Sequence, residues 1–378
     1  MKINILPEII FPSEHDDFFI KCRLEDVFDD TALGIIRSAD INIINLECVL
    51  TNKEKSREKW GSHLKASVFN VNFLKLIPNL IVNISNNHIL DYGIDGLKDT
   101  TDILGKNGID YVGSSDKYEQ KPFITKKNIG IYACCEHDSY SYNDSSFVSL
   151  LDMADVTGTI AKNKIQCDKI ICLYHGGREF YPYPSPKLRK RLCQIADAGA
   201  DVIVCQHNHC VSCEENYKSS DIIYGQGTLI WGNREEIKDN IKDLSMMNRG
   251  MIVTFFSDTS QVDKYFFTIN GNRISNDYDG MIKTGYLDRS KEILEENFVE
   301  QKFEEYAIGN EELLEIFSDR YCYGGTLRSI KSAIKVLLGQ RPQKRDILRL
   351  QNHLNCESNR EVLDTLLEIK KRYNNALC

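Results

Sequence analysis

Three short runs of apolar, largely β-branched residues in this 378-residue chain each lead into histidine, which constrains the fold more than any other feature. Leu80 to Ser85 runs into Asn86-Asn87-His88, with Asp91 and Gly93 just beyond. Lys169 to Tyr174 runs into His175, followed by Arg178 and Glu179, and Asp201 to Cys205 runs into Gln206-His207-Asn208-His209. Runs of this length and composition read as buried strands. Open α/β sheets bind ligands beyond the carboxyl ends of their strands, so an α/β protein with a polar site along one edge is expected. Of the eight histidines, His88, His175, His207 and His209 have this strand-end context, whereas His15, His63, His137 and His353 lack it.

Asparagine, histidine and glycine also serve as turn and cap residues, so no one of these segments defines a site alone. Together they do more. His207 and His209 share a face if the backbone is extended and diverge toward two ions if it turns. With His175 they make an imidazole set suited to zinc, manganese or iron. Another strand-like run, Asp40 to Asn45, ends in Asn45-Leu46-Glu47. Glu47 reads either as a solvated strand-end charge or as the carboxylate that bridges a pair of divalent cations.

These residues resemble the bacterial CapA-type proteins of poly-gamma-glutamate capsule synthesis, which look like a branch of the calcineurin-like metallophosphoesterase fold. The likeness rests on Asn45-Leu46-Glu47, Asn86-Asn87-His88 with Asp91 and Gly93, His175 with Gly177 and Glu179, Ala198 to Ile203 leading to His207 and His209, and Glu215 with Tyr217. It covers roughly residues 1 to 270. The resemblance implies that Glu8, Glu47, Asn87, His175, His207 and His209 surround one or two divalent ions, with manganese, iron and zinc all suited to such a set. It implies that His88 sits just outside, protonating a leaving group while a metal-bound hydroxide attacks, and that Asp91 orients its ring and raises its pKa. Arg178, Glu179 and Glu215 are expected to face substrate or to support the ligands.

Two departures from the family pattern stand out. The family opens with a strand ending in Gly-Asp, whereas Ile3 to Leu6 is followed here by Pro7-Glu8, a longer acid beside a residue without a backbone donor. Ile222 to Leu229 ends in Gly227-Thr228-Leu229 where the family carries Gly-Asn-Phe, so a polar contact there is expected to be altered or lost. The resemblance implies a metal-dependent hydrolase of a phosphoester or a gamma-glutamyl amide. The alternatives are a non-catalytic capsule-assembly accessory that keeps the fold, and a binding module that recruits a protein partner through its last helices. The expected ligand is an anionic small molecule or a glutamate-containing polymer.

A net charge of -8 argues against a nucleic-acid surface. No run of 18 apolar residues suggests a membrane span. The opening Met1-Lys2 to Pro7 lacks the form of a secretory signal, so a cytoplasmic location is expected. Thirteen cysteines, an odd number scattered through apolar runs, fit reduced core thiols better than a disulfide framework. Cys205, Cys210 and Cys213 bracket the histidine pair, but no second C-x-x-C half follows to complete a zinc knuckle.

Helices are expected over Leu24 to Ala39, over Tyr92 to Asn107 with Gly108 as the stop, and over Pro186 to Ala200. The last lies between the strands before His175 and His207, which makes those strands parallel neighbours joined by a right-handed crossover. Ile222 to Trp231, Met251 to Phe256 and Lys264 to Ile269 read as an antiparallel second sheet. The fold class is therefore α/β, a layered sandwich of mixed sheets flanked by helices over residues 1 to 285, and the resemblance implies that it is metallophosphoesterase-like. Residues 286 to 378 read as a helical subdomain. Its stripes are Val299, Phe303 and Tyr306; Leu327, Ile330, Ile334 and Leu337 between Thr326 and Gly339; and Val362, Leu366, Ile369 and Tyr373 behind a Ser358-x-x-Glu361 capping box. Such stripes more often pack internally than receive a partner. The charged segment from Thr51 to Lys59 is expected to be a flexible loop at the site mouth, with Lys59, His63 and Lys65 facing either solvent or an anionic substrate.

Overall fold

The computed structural model describes residues 1–12, 17–114, 121–138, 140, 146–231, 248–283, 285–311, 313 and 344–375. In chain order the strands are β1 (Lys2–Ile10), β2 (Ile41–Leu46), β3 (Val49–Leu50), β4 (Lys65–Ala66), β5 (Leu80–Asn83), β6 (Asp110–Val112), β7 (Phe123–Lys126) and β8 (Ile129–Cys135). They continue with β9 (Lys169–His175), β10 (Val202–Gln206), β11 (Glu214–Tyr217), β12 (Ser220–Ile223), β13 (Thr228–Trp231), β14 (Arg249–Phe256), β15 (Gln261–Asn270) and β16 (Arg273–Asn276). One sheet runs β16-β15-β14-β1-β2-β5-β6, with β13 also on β1. The second large sheet runs β11-β12-β10-β9-β8-β7, and β3 pairs with β4 apart from both.

The sheets stack face to face. Ile3, Ile5, Ile43 and Ile81 from the first pack with Ile131, Ile171, Leu173 and Val204 from the second in one buried layer. Both sheets are mixed: β1, β2, β5 and β6 are parallel, as are β8, β9, β10 and β12, with antiparallel strands at the margins. The outer face of the first sheet buries Leu33, Ile36, Phe73, Leu97 and Leu104 from the helices Asp30–Arg37, Val71–Leu76 and Gly93–Lys106. The outer face of the second buries Val156, Ile160, Leu188, Leu192 and Ile195 from Met153–Lys164 and Pro186–Asp197. Strands β9 and β10 are parallel neighbours, as expected, and place His175 opposite Gln206.

Several local expectations are corrected. The late strands do not make a separate antiparallel sheet: β12 joins the second sheet, while β13 and β14 both pair with β1 along different parts of its length. The helix over Leu24 to Ala39 is broken into Leu24–Val27 and Asp30–Arg37, because Asp29 turns its carboxylate to the Ala32 amide at 2.9 Å and caps the second piece. Strand β1 does not stop before Pro7 but continues to Ile10. Strand β8 was not anticipated, and it places His137 two residues beyond a strand end.

The final helix is Glu357–Asn375, so Ser358 lies inside it rather than at its cap. Glu361 accepts instead from Ser185 Oγ and the Lys187 amide, at the start of the helix Pro186–Asp197. The stripe from Leu327 to Leu337, with Thr326 and Gly339, lies outside the described residues, as does His15. The eleven described cysteines are free thiols, Cys172 and Cys205 among the buried ones. Among the described residues no helix is long and apolar enough to cross a membrane.

A polar ladder crosses the first sheet on its helix side. Asn4 receives the Thr254 hydroxyl and donates to Asn42 and the Ile35 carbonyl, each at 2.9 Å. Asn42 in turn donates to the carbonyls of Ile36 and Pro78 at 3.0 and 2.8 Å. A buried acceptor left without its partner costs about 1 to 3 kcal/mol. Asn42→Ala strands several groups at once and is expected to lower stability by about 2 to 4 kcal/mol in urea denaturation.

The last helix is tied to β8's end through Glu357, which accepts from the His137 amide at 2.7 Å and faces His137 Nδ1 at 2.5 Å. The carboxylate raises the His137 pKa above 6.5, against its partial burial. Burial pushes Glu357 upward, but the bonds from His137 hold it below 4.5. A raised histidine stabilises fully below its unfolded value and loses that contribution as pH rises through its folded value. A depressed carboxylate contributes above its unfolded value and loses it as pH falls through its folded value. The pair is therefore fully effective between about pH 4.5 and 6.5. Limited proteolysis of the last helix is expected to accelerate as pH rises above that window, and His137→Ala should flatten this dependence.

Candidate metal centre

The candidate ligands come from strand ends that meet at one edge of the sandwich. Glu8 lies in β1, Glu47 just beyond β2, Asn87 in the turn after β5, His175 at the end of β9, and His207 and His209 in the turn after β10. All are buried. The register of β1 shifts between Leu6 and Ile9 against β2, and between Glu8 and Ile9 against β13, so Pro7-Glu8 forms a bulge. Proline is tolerated there because a bulge gives up ladder hydrogen bonds, and a bulge re-aims the neighbouring side chain.

Glu8 accepts from the His207 amide at 3.0 Å through one oxygen. Its other oxygen faces His209 Nδ1 and accepts the Thr228 hydroxyl at 3.2 Å. Position 228 thus supplies a polar contact to the site's acid rather than losing one. Of the two arrangements open to His207 and His209, the turn is found: φ is 97° at His207 and 54° at His209. Left-handed backbone at non-glycine residues is strained and persists only where its surroundings enforce it. Asn208 between them donates to the Tyr224 carbonyl at 2.9 Å. Gly225 makes room for that amide, since a Cβ there would lie 2.2 Å from Asn208 Nδ2.

Glu47, His207 and His209 offer ligand atoms within 4.8 Å of one another, and so do Glu8, Glu47 and His175. Glu47 belongs to both groups. Its carboxylate lies 3.5 Å from His175 Nε2 and 4.0 Å from His207 Nδ1, beyond a good hydrogen bond. Both Glu47 oxygens and His207 Nδ1 are consequently buried with no hydrogen-bond partner. Buried polar atoms are nearly always satisfied, so an orphaned carboxylate beside an orphaned imidazole nitrogen fits a divalent cation.

The electrostatics agree. Burial pushes Glu47 upward, but His175 and His209 around it hold it well below the usual carboxylate range. Burial and the nearby charge of Glu47 raise Glu8, with His209 pulling the other way. Burial brings His175 down to about 4 despite Glu47. Burial also opposes the charged form of His207, yet Glu47, Glu179 and Asp138 lift it to about 10. Two acids and three imidazoles thus lie in one buried cluster, a donor set suited to a divalent ion.

Asn87 stands at the edge of this set, with Oδ1 2.9 Å from His175 Nε2. Asn45 Nδ2 meets the other nitrogen of the same ring at 3.2 Å. Asn86 is structural: it donates to Asn45 Oδ1 and the Leu46 carbonyl, and accepts from the His88 amide. His88 enters neither ligand group. Its Nδ1 lies 2.7 Å from Asp91 Oδ2. Burial pushes Asp91 up, but the ion-paired Lys59 and then His88 hold it below the usual carboxylate range.

Several candidates are placed differently from their expected roles. Lys59 is buried against Asp91 rather than open to a substrate. The charged segment before it is anchored: the Arg57 amide donates to the Asp91 carbonyl at 2.8 Å, and the Arg57 carbonyl meets His63 Nε2 at 2.7 Å. Lys65 reaches the Lys53 carbonyl. Arg178 donates to Tyr306 and Asn359 on the C-terminal helices. Glu215 accepts both bonds of an Arg189 fork at 2.8 Å and the Tyr224 hydroxyl at 2.9 Å. Glu179 does face the centre, 3.9 Å from His207 Nε2 and half exposed.

Asp138 is a residue the sequence reading missed, and it accepts from Asn87 Nδ2 at 2.9 Å. The available signal was the position of Glu136-His137-Asp138 just past the apolar run Ile129 to Cys135.

Residues 8–233, more than half of the chain, match the family model described as "Bacterial capsule synthesis protein PGA_cap". The capsule biosynthesis protein CapA of Bacillus anthracis is 26% identical over 201 residues, covering 48% of this chain and 48% of that protein. The PGA biosynthesis protein CapA of Bacillus subtilis is 27% identical over 207 residues, covering 52% and 54%. A probable polyglutamine synthesis accessory protein of Mycobacterium tuberculosis is 24% identical over 220 residues, covering 53% and 58%. The chain thus spans about half the length of the curated relatives it matches. The matched segment, residues 8–233, contains every candidate ligand from Glu8 to His209, and the chain belongs to the bacterial capsule synthesis protein PGA_cap family.

Proposed function

We propose that this chain is a metal-dependent hydrolase of the CapA type that acts in the synthesis of a poly-gamma-glutamate capsule, on a gamma-glutamyl amide or a phosphoester. The observation that carries the reading is the orphaned carboxylate of Glu47, shared between two groups of ligand atoms. Glu8, Glu47, Asn87, His175, His207 and His209 are the residues that would hold one or two divalent ions, of manganese, iron or zinc. Ions held there would neutralise charge on the attacked group and bring the pKa of a water to about 7.

The protein's own groups supply the rest. With Nδ1 turned to Asp91, His88 keeps Nε2 for proton transfer to a leaving group. Asp91 also accepts from the Leu64 amide at 2.7 Å, so the acid that orients the ring is itself fixed. Lys59 keeps Asp91 ionised. Glu179, half exposed beside His207, lies where a substrate approaches the cluster.

One observation favours a second reading, a non-catalytic accessory of capsule assembly. Both Glu8 oxygens already accept bonds from the chain itself, which leaves that acid less free to ligate an ion.

Elemental analysis and turnover on phosphodiester and gamma-glutamyl substrates separate the two. The hydrolase reading expects one to two equivalents of metal in the wild type and loss of metal in Glu47→Ala. It also expects His88→Asn to retain metal while turnover falls by about 10²- to 10⁴-fold. Wild-type protein that binds metal but turns over neither substrate would leave the accessory reading standing.

A further inference from the structure

A primary amide has two different ends, and only its oxygen can face a cation. At Asn87 the choice is made by one neighbour. Asp138 Oδ2 takes the Asn87 NH₂ group at 2.9 Å, and an ionised carboxylate accepts but never donates. The Asn87 oxygen is thereby turned toward His175 Nε2 and the acidic cluster.

Asp138 is held in its turn from the far end of the sequence. Its other oxygen accepts from Asn352 Nδ2 at 3.0 Å, on the helix Lys344–Asn355. Asn352 Oδ1 accepts from Asn359 Nδ2 at 3.2 Å, and Asn359 Oδ1 accepts from Arg178. Arg178 adjoins Glu179, which faces His207. The polar chain thus leaves the centre at Asn87, passes through both C-terminal helices and returns beside His207.

The helices are well anchored for such a role. His137 and Glu357, Ser185 and Glu361, and Lys187 and Glu361 fasten the last helix to the sandwich. Val362 and Leu366 pack with Tyr181 and Phe303 in a separate buried cluster.

We propose that Asp138 is a positioning residue for the metal centre, fixing which end of the Asn87 amide faces the ion, and that the two C-terminal helices hold it there through Asn352. This deepens the metal-centre reading and rests on it. Groups beside a ligand that fix its orientation typically change metal affinity by about 10- to 100-fold when removed. Coupling is reciprocal, so an ion at the centre also strengthens the docking of the helices.

The test is a Mn²⁺ titration, followed by electron paramagnetic resonance, of the full chain and of Asp138→Ala, Asn352→Leu and Asp364→Ala. Asp364 sits on the last helix, exposed and paired with Lys187, and serves as the control. Asp138→Ala is expected to weaken Mn²⁺ binding by about 10- to 100-fold. Asn352→Leu is expected to weaken it by at least about fivefold, with no change in Asp364→Ala. Mn²⁺ should also slow proteolysis of residues 344–375 in the wild type and do so less in Asn352→Leu. Should Asp138→Ala fail to fold, the half-buried Asn352→Leu decides alone. Wild-type uptake undiminished in the folded variants overturns this inference and leaves the metal centre intact. No Mn²⁺ uptake by the wild type overturns the metal-centre reading, and this inference with it.

Discussion

Glu47 is a buried carboxylate whose two oxygens have no hydrogen-bond partner, and the organisation of the site follows from that one cost. An isolated charge withdrawn from water is too expensive to keep unless something nearby compensates it. Here His175 Nε2 and His207 Nδ1 stand 3.5 and 4.0 Å from it, too far for good bonds, and His209 offers a ligand atom within 4.8 Å. A protein gains nothing in stability from such an arrangement. The sandwich tolerates it because the two sheets bury a continuous layer rich in isoleucine, leucine and valine beneath. The bulge at Pro7-Glu8 and the left-handed histidines at 207 and 209 belong to the same account, since each departs from regular backbone to bring a side chain into one small volume.

How much of this was legible depends on where each signal lies along the chain. Strands β5, β9 and β10 could be read because their residues are apolar and rich in β-branched types over three or more positions, and their polar residues follow at once. Strand β8 was missed although it is equally buried: IGIYACC mixes glycine, alanine and cysteine with its isoleucines, which weakens the local signal. With it went Asp138 and the strand-end context of His137. The layered α/β class was legible, but the pairing of β13 and β14 along different stretches of β1 was not, because register is a property of two segments.

The candidate ligands and the groups around them differ in the same way. Glu47, Asn87, His175, His207 and His209 are marked by local context, whereas Glu8 was picked out by resemblance and its bulge by neither. Arg178 looked suited to an anion because a guanidinium matches phosphate and carboxylate oxygens. Its actual partners, Tyr306 and Asn359, lie 128 and 181 residues away, and nothing near position 178 announces them. Lys59 was likewise read by its charged neighbours, yet it is buried against Asp91, where it stabilises an acid rather than meeting a ligand.

Two histidine–carboxylate pairs show why residue type alone does not assign a role. His88 with Asp91 and His137 with Glu357 each join an imidazole nitrogen to a carboxylate at hydrogen-bond distance. In the first pair the acid is buried and locked by Lys59 and the Leu64 amide, and the ring meets it through Nδ1. In the second, the acid comes from the last helix and binds both the ring and the backbone of His137, so the pair acts as a fastener. The difference lies in which partner is fixed. An acid held from behind presents a ring to whatever approaches, whereas an acid that grips the backbone beside its ring presents nothing and joins two elements. By that criterion the C-terminal helices are attached to the sandwich by fasteners at Glu357 and Glu361, and those fasteners set the position from which Asn352 reaches Asp138.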